Sequence, residues 1–309
     1  MLITYCNRVN QKVAALIAIA VVIPLAMVAA IYSGPAAEES DRAPEKLVVL
    51  ASFYPMYEFA KKVGGDRADV SSLVPQGIEP HDWEPSAPDV ARTESADIIV
   101  INGAGFESWA SRINTDSLVD TSEGIDWTVE DGQINPHFWL DPVLAKQQVE
   151  RIRNALAQAD PSNADYYFEN AASFSAELDS LHLTAEEELS DCALSDFIAF
   201  HDAFFHFARR YGLEQHSVHG PSPEGEILPQ RIEEVVRLVD ELGISVIYSE
   251  DLVDSRLADT IAQEIRGGRV LVLSPIEGIE GEEQALGIGY IKKMHENIAN
   301  LKEGLECRP

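Results

Sequence analysis

The chain has 309 residues, 46% of them hydrophobic, which is enough to bury one large core or two smaller ones. Asp and Glu number 52 against 23 Lys and Arg, so the formal net charge is -29. This charge repels phosphate backbones and argues against nucleic acid as a partner, whereas a cation is a natural ligand. The acids are spread along the chain, which is typical of a solvated surface.

An uncharged, almost wholly apolar segment occupies residues 13–32. Its length is about the 20 residues that a helix needs to cross a bilayer. Basic residues precede the segment and acidic residues follow it, which predicts that residues 1–12 are cytoplasmic and that the remainder is extracytoplasmic. We expect a transmembrane anchor, with a cleaved signal segment as the alternative, followed by a polar tether at residues 33–46.

From residue 47 onward, short apolar runs alternate with helical patterns, which predicts an α/β fold with mostly parallel sheets. The runs are LVVLASFYP (47–55), VSSLVP (70–75), DIIVING (97–103), FIAF (197–200), SVIYS (245–249) and RVLVLSP (269–275). A purely helical stretch separates the first three runs from the last three. We therefore predict two α/β lobes, at residues 47–160 and 191–309, each with a central sheet flanked by helices.

The helical stretch predicts one long rigid helix, at residues 161–190, that joins the two lobes. Asp141 before Pro142 is typical of a capped helix start, and Asp160 before Pro161 repeats the pattern. Apolar residues then recur at alternating steps of four and three, as expected for one buried stripe on a helix of roughly 27 residues. The stripe consists of Tyr167, Ala171, Phe174, Leu178, Leu181 and Ala185.

Two cysteines, Cys192 and Cys307, fall in the second lobe. An extracytoplasmic location permits them to form a disulfide. Two buried free thiols are the alternative, and the sequence leaves both possibilities open.

Four metal-capable side chains lie in four separate segments: His81, His137, His201 and Glu250. His201 and Glu250 directly follow predicted strands, and His81 lies a few residues beyond another. In open α/β sheets, ligands bind beyond the carboxyl ends of the strands. Three imidazoles and one carboxylate suit Zn²⁺, whereas Ca²⁺ or Mg²⁺ prefers oxygen ligands. We therefore predict one metal site in the cleft between the lobes.

Several segments resemble the zinc and manganese substrate-binding proteins of metal-importing ABC transporters, often called the cluster A-I family. They are SFYPMYEFAKKVGGD, SLVPQGIEPHDWEPSAPDV, INGAGFESW, PHFWLDPVLAKQQVERIRNALAQADP, FHDAFFHFARRYGLEQ, SEDLV and VLSPIEGI. The similarity covers about residues 45 to 305. It implies two α/β lobes joined by a rigid helix, a metal in the cleft, and delivery to a membrane permease driven by a cytoplasmic ATPase.

The resemblance places the family's metal ligands on His81, His137, His201 and Glu250. Its third ligand is histidine in zinc-type members and glutamate in many manganese-type ones, so His201 favours Zn²⁺ over Mn²⁺ or Fe²⁺ as cargo. The histidine-rich loop of many zinc-type members is absent here. Asp251 follows Glu250, so Asp251 or water remains an alternative to Glu250 as fourth ligand.

These observations predict a monomeric, extracytoplasmic, non-enzymatic component that captures Zn²⁺. Four protein ligands leave no open position for an activated water. Binding requires deprotonated imidazoles, so we expect affinity to fall as the pH drops through about 6.5. The alternatives are a Mn²⁺- or Fe²⁺-binding member of the same family, a secreted zinc hydrolase, and a surface adhesin stabilised by metal. His216 and His219 are candidates for a weak additional metal site, or for contacts that support the ligands of the cleft site.

Overall fold

The structure is a computed structural model. It describes residues 46–113, 116–126, 129–130, 133–220, 222–223, 229–252, 256–279 and 281–308. These residues belong to one compact unit, Lys46–Pro309. The predicted membrane segment at residues 13–32 lies outside the described residues. Within the ranges described, no helix combines the length and the apolar character needed to cross a bilayer.

The N-terminal lobe contains a parallel sheet of four strands in the order β2-β1-β3-β4. These strands are β1 (Leu47–Ala51), β2 (Ala68–Ser72), β3 (Ile98–Ile101) and β4 (Leu118–Asp120). Helices α1 (Tyr54–Gly64) and α2 (Ala87–Ser95) belong to the connections between the strands. All four side chains of β3 are buried, as expected for a strand covered on both faces.

The middle of the chain is mainly helical. A short antiparallel pair, β5 (Val129–Glu130) and β6 (Gln133–Ile134), precedes α3 (Pro142–Ala159) and α4 (Ala164–Glu188). Asp141 caps α3 as predicted, because its Oδ1 accepts hydrogen bonds from the backbone N–H groups of Val143 and Leu144. Asp160 instead precedes a short 3-10 turn, Pro161–Asn163, and α4 begins after that turn.

The C-terminal lobe contains the second parallel sheet, with strands in the order β10-β9-β7-β8. These strands are β7 (Asp196–Ala199), β8 (Glu214–Ser217), β9 (Val246–Ser249) and β10 (Arg269–Val272). The described helices of this lobe are α5 (Phe205–Tyr211), α6 (Pro229–Leu242), α7 (Arg256–Glu264), α8 (Gly281–Ala285) and α9 (Tyr290–Gly304). Helix α5 therefore begins four residues after His201.

The long helix α4 connects the two lobes and lies in the main core. It has 25 residues, about 37 Å at the usual rise per residue. It packs against α1, α3 and α9. The predicted apolar stripe is confirmed, because all six of its side chains are at most 2% exposed. The structure also joins Cys192 and Cys307 in a disulfide, which links the segment before β7 to the end of the described chain.

Candidate metal centre

Three histidines and one glutamate from distant parts of the chain bring their ligand atoms together. They are His81, His137, His201 and Glu277, and these ligand atoms all lie within 4.8 Å of one another. Oε1 of Glu277 lies 3.0 Å from Nε2 of His81 and 3.2 Å from Nε2 of His137. It lies 3.4 Å from Nε2 of His201. The Nε2 atoms of His137 and His201 are 3.2 Å apart.

These separations fit a single small cation at the centre of the four atoms. Zinc binds nitrogen and carboxylate oxygen at about 2.0–2.2 Å, so the ligand atoms of a tetrahedral site lie about 3.3 Å apart. The four separations of 3.0 to 3.4 Å lie around that value. Three imidazole nitrogens and one carboxylate oxygen also form a donor set that suits zinc better than calcium or magnesium.

His81 is positioned by the loop between β2 and α2. Its backbone N–H donates to the Glu79 carboxylate at 3.0 and 3.1 Å. The ring of Phe106 packs against the His81 ring with a centroid distance of 4.8 Å. Phe106 is itself held by a buried carboxylate, since Glu107 accepts the backbone N–H groups of Asn102 and Gly103. Burial raises the pKa of Glu107 despite these hydrogen bonds.

His137 is fixed by the residue two positions before it. Oδ1 of Asn135 lies 2.7 Å from Nδ1 of His137, and it also accepts the backbone N–H of His137 at 3.2 Å. Because the amide oxygen only accepts, Nδ1 carries the proton and the Nε2 lone pair faces the other ligands. Asn135 is held from the C-terminal lobe, because its backbone oxygen lies 2.8 Å from Nε2 of His206.

His201 follows β7 and is completely buried. Its Nδ1 lies 2.8 and 2.9 Å from the two carboxylate oxygens of Glu250, and its backbone N–H donates to Oε1 at 2.9 Å. Glu250 lies beyond the end of β9, the neighbour of β7 in the sheet. The contact from Glu250 leaves Nε2 of His201 directed at the other ligands.

The position of Glu250 differs from the sequence-based expectation. Its carboxylate lies on the Nδ1 side of His201 and is not among the four groups that converge. The expected cost of burying Glu250 without a cation is offset by its three contacts with His201. The alternative residue Asp251 points elsewhere, with Oδ2 3.2 Å from Nζ of Lys293.

Glu277 completes the cluster, and sequence reasoning missed it. It lies five residues beyond β10 and is 3% exposed. Ile276, just before it, has a φ of +56°, an uncommon backbone conformation for a branched residue. The hydroxyl of Ser274 accepts the backbone N–H of Ile276 at 3.2 Å and supports this turn. The sequence did offer a signal for Glu277, because this residue follows a predicted strand, as His201 does.

The residues of the cluster differ in pKa and therefore in charge. Burial is the largest influence on His137 and lowers its pKa to about 3, so this ring is neutral. Burial also lowers the pKa of His201, but the carboxylates of Glu250 and Glu277 outweigh it and raise that pKa to about 10. Burial opposes ionisation of Glu277, yet the three histidines hold its pKa well below the usual value. Without metal, His201 therefore carries the positive charge.

Comparisons with known proteins point in the same direction. Residues 49–304 match the model of a family described as "Zinc-uptake complex component A periplasmic". The chain is 34% identical over 300 residues to the high-affinity zinc uptake system protein ZnuA of Bacillus subtilis (strain 168), covering 90% of this chain and 94% of that protein. It is also 34% identical over 289 residues to the zinc-binding lipoprotein AdcA of Streptococcus pneumoniae (strain R6), covering 87% of this chain and 58% of AdcA.

Solved structures share the fold. The Zn(II)-bound ZnuA-like domain of Streptococcus pneumoniae AdcA matches with a TM-score of 0.76 at 34% identity, covering 85% of this chain and 100% of that one. The laminin-binding protein Lmb of Streptococcus agalactiae, described as a bifunctional protein with adhesin and metal transporting activity, matches with a TM-score of 0.78 at 31% identity. That match covers 84% of this chain and 100% of Lmb. The predicted two-lobe α/β fold is thereby confirmed.

Proposed function

Because the chain belongs to the family of periplasmic A components of zinc-uptake complexes, we propose that it captures Zn²⁺ outside the cytoplasm and delivers it to the membrane permease of an ABC importer. The ligands are His81, His137, His201 and Glu277, with Glu277 in the place that the sequence pattern gave to Glu250. The observation that supports this proposal most directly is the convergence of these four ligand atoms within 4.8 Å, three of them on buried residues.

The donor set supports zinc over the rival cargoes. Manganese favours carboxylate, carbonyl and water ligands, whereas imidazole suits zinc well. His201 supplies a third nitrogen, and only one oxygen donor, from Glu277, belongs to the group. Zn(II)-bound AdcA from Streptococcus pneumoniae, with the same fold, is consistent with this assignment.

The same arrangement supports capture without turnover. A catalytic zinc site has three protein ligands and an open position for water, whereas a site closed by four ligands has none. Glu250 is held by His201 and Asp251 lies beside Lys293, so neither carboxylate of this pair is placed as a general base in the centre. We therefore disfavour the secreted zinc hydrolase.

A cleft beside Glu277 provides a route for the ion. It has a volume of about 280 Å³ and is lined by residues of both lobes, including Tyr54, Ser72, Gln76, Glu277 and Gln284. Gln76 and Gln284 face each other across it and form a hydrogen bond. We propose that the permease releases the ion by parting the lobes slightly at this cleft.

The cellular location follows from the N-terminus and the cysteines. We propose that residues 13–32 anchor a monomeric chain to the membrane and that the lobes lie on its extracytoplasmic side. The disulfide between Cys192 and Cys307 is consistent with such an oxidising compartment. Delivery then involves a permease in the same membrane and a cytoplasmic ATPase.

The test is calorimetric titration of the metal-stripped protein with Zn²⁺, followed by competition with Mn²⁺ and Fe²⁺. We expect one tight zinc site that Mn²⁺ barely displaces. His201→Ala removes a ligand and should weaken binding by more than about 100-fold, beyond the usual effect of losing an outer hydrogen-bond partner. His295→Ala, at an exposed position on α9, is the matched control and should bind like the wild type. A preference for Mn²⁺ would mean that manganese, and not zinc, is the cargo. Unchanged zinc affinity in His201→Ala would exclude this site.

A further inference from the structure

A second group of metal-capable side chains lies on β7 and β8, apart from the cleft. It consists of Asp196, Glu214 and His216, whose ligand atoms all lie within 4.8 Å of one another. Nε2 of His216 is 2.8 Å from Oδ1 of Asp196. The side chains of His216 and Asp196 are 23% and 22% exposed, so an ion from solvent can reach them.

We propose that Asp196, Glu214 and His216 form a second, weaker site for a divalent transition-metal ion of the zinc class. One imidazole nitrogen and two carboxylate oxygens provide three ligands, and water completes the coordination shell. The site is independent of the four residues in the cleft. It would make the protein bind two zinc ions at high zinc concentration.

The position on the sheet keeps the two sites apart. Asp196 and Glu214 are the first residues of β7 and β8, whereas His201 follows the carboxyl end of β7. The five residues from Asp196 to His201 correspond to about 16 Å of extended chain. The second group therefore lies towards the amino ends of the strands, and the cleft lies beyond their carboxyl ends.

The strand register brings two negative charges together. Asp196 and Glu214 are directly paired across β7 and β8. Like charges in such a pair destabilise a sheet. His216 lies two residues after Glu214, so its side chain is on the same face of β8. A bound cation would relieve the repulsion between the two carboxylates. This relief favours the binding of a cation beside Asp196 and Glu214.

One ligand is already oriented. Oγ of Ser195 donates to Oδ2 of Asp196 at 2.7 Å, which leaves Oδ1 facing His216. Hydrogen bonds of this kind hold ligating carboxylates in place. The 2.8 Å contact between Asp196 and His216 must open by about 0.5 Å to reach the separation of ligands around zinc. This opening and the solvent exposure make the second site weaker than the first.

Two cations, Arg209 and Arg231, line the same groove as Glu214 and His216, and they lower the expected affinity without removing the case for the site. Arg231 shares a groove with His216, but its guanidinium donates to the backbone oxygen of Ser217 and to the Glu234 carboxylate. Its charge is therefore partly balanced by Glu234. Its remaining repulsion is a further reason for a modest affinity.

The experiment is zinc titration of the full chain and of four single variants, read by calorimetry and by equilibrium dialysis with metal analysis. The wild type should bind two equivalents, the second at least about 100-fold more weakly than the first. His216→Ala and Asp196→Asn should each lose the second equivalent and keep the first. His201→Ala should show the reverse, and His295→Ala should retain both.

Two results would overturn the proposal. One is a wild type that binds a single equivalent, which His201→Ala loses, at every zinc concentration at which it stays in solution. The other is a second equivalent that persists in both His216→Ala and Asp196→Asn. Circular dichroism and retention of the first equivalent verify that these two variants are folded. A single wild-type equivalent that His216→Ala loses and His201→Ala keeps would instead count against the cleft site and leave the second site standing.

Discussion

Two glutamates contact the His201 ring from opposite sides. Glu250 reaches Nδ1 at 2.8 and 2.9 Å, and Glu277 lies 3.4 Å from Nε2. Only Glu277 also contacts the Nε2 atoms of His81 and His137. A carboxylate on the far nitrogen of a ligating histidine orients the ring and raises its basicity. We therefore propose different roles for the two residues, Glu277 as a ligand and Glu250 as the support of His201.

These roles predict an order of effects on zinc affinity. Glu277→Ala removes a ligand and leaves three histidines, so it should weaken binding more than Glu250→Gln. Loss of an outer partner costs about 10- to 100-fold, which is the range expected for Glu250→Gln. Competition titration with a chromophoric zinc chelator measures both constants. A larger loss in Glu250→Gln than in Glu277→Ala would return the ligand role to Glu250.

His201 also determines the pH dependence of binding. The pKa of His201 is raised to about 10, so without metal its ring is protonated at neutral pH. Zinc must displace this proton. We therefore expect affinity to rise about tenfold per pH unit between pH 7 and 9, with about one proton released per zinc. Protons therefore compete with zinc at pH values well above about 6.5, the pKa of an isolated histidine.

Calorimetry in buffers of different ionisation enthalpy measures the released proton. Glu250→Gln is the informative control, because it removes one of the two carboxylates that raise the pKa of His201. This variant should release fewer protons near neutral pH than the wild type. A binding enthalpy that does not depend on the buffer would contradict the prediction for the wild type.

Helices and strands with a simple periodic pattern were predicted well. The apolar stripe of α4 follows from steps of four and three, and all six side chains are buried. The six apolar runs correspond to β1, β2, β3, β7, β9 and β10. The short strand β4 was missed, because its three side chains are only partly buried and carry a weak pattern.

The site shows a different limit of sequence reasoning. His81 and His201 were selected because each lies close after a predicted strand, and His137 because the family resemblance places a ligand there. Glu277 was overlooked because the four residues between it and β10 hide its relation to the strand. The choice between Glu250 and Glu277 depends on which nitrogen of His201 each one faces. Only the pairing of β7 with β9 in the folded sheet determines this.

The burial pattern of α4 predicts where that helix is sensitive to mutation. Leu178 is fully buried, whereas Leu183 on the same helix is 60% exposed. Leu178→Ala leaves a cavity and should lower the free energy of unfolding by about 2–5 kcal/mol. Leu183→Ala should change it by no more than about 0.5 kcal/mol. Urea denaturation of the metal-free protein measures both, and equal effects would contradict the assigned helix face.

Direct contacts between protein groups connect the two lobes. The indole Nε1 of Trp139 donates to the backbone oxygen of Pro275 at 2.8 Å. Nε of Arg210 lies 2.6 Å from each carboxylate oxygen of Asp141, which is buried and also caps α3. These contacts hold together the segments that carry the four candidate ligands. We therefore expect zinc capture to require little movement of one lobe relative to the other.

Because both lobes supply ligands, zinc should stabilise the whole molecule. His81 and His137 come from the N-terminal lobe, and His201 and Glu277 come from the C-terminal lobe. Zinc at a free concentration of about 1,000 times Kd adds about 4 kcal/mol to the free energy of unfolding. For a protein of this size, Tm should rise by about 10 °C. Differential scanning calorimetry with and without zinc measures the increase.

Two variants distinguish the zinc contribution from the existing lobe contacts. Arg210→Ala leaves the buried carboxylate of Asp141 without its ion-pair partner, so its metal-free Tm should fall while the Tm increase caused by zinc remains. His201→Ala should lose most of the zinc increase, because the ion then lacks one of its two ligands from the C-terminal lobe. If zinc raised the Tm of His201→Ala as much as it raises that of the wild type, zinc would stabilise the fold from another site. Loss of the increase in Arg210→Ala would instead mean that the ion pair, and not the ligands alone, holds the lobes in the binding geometry.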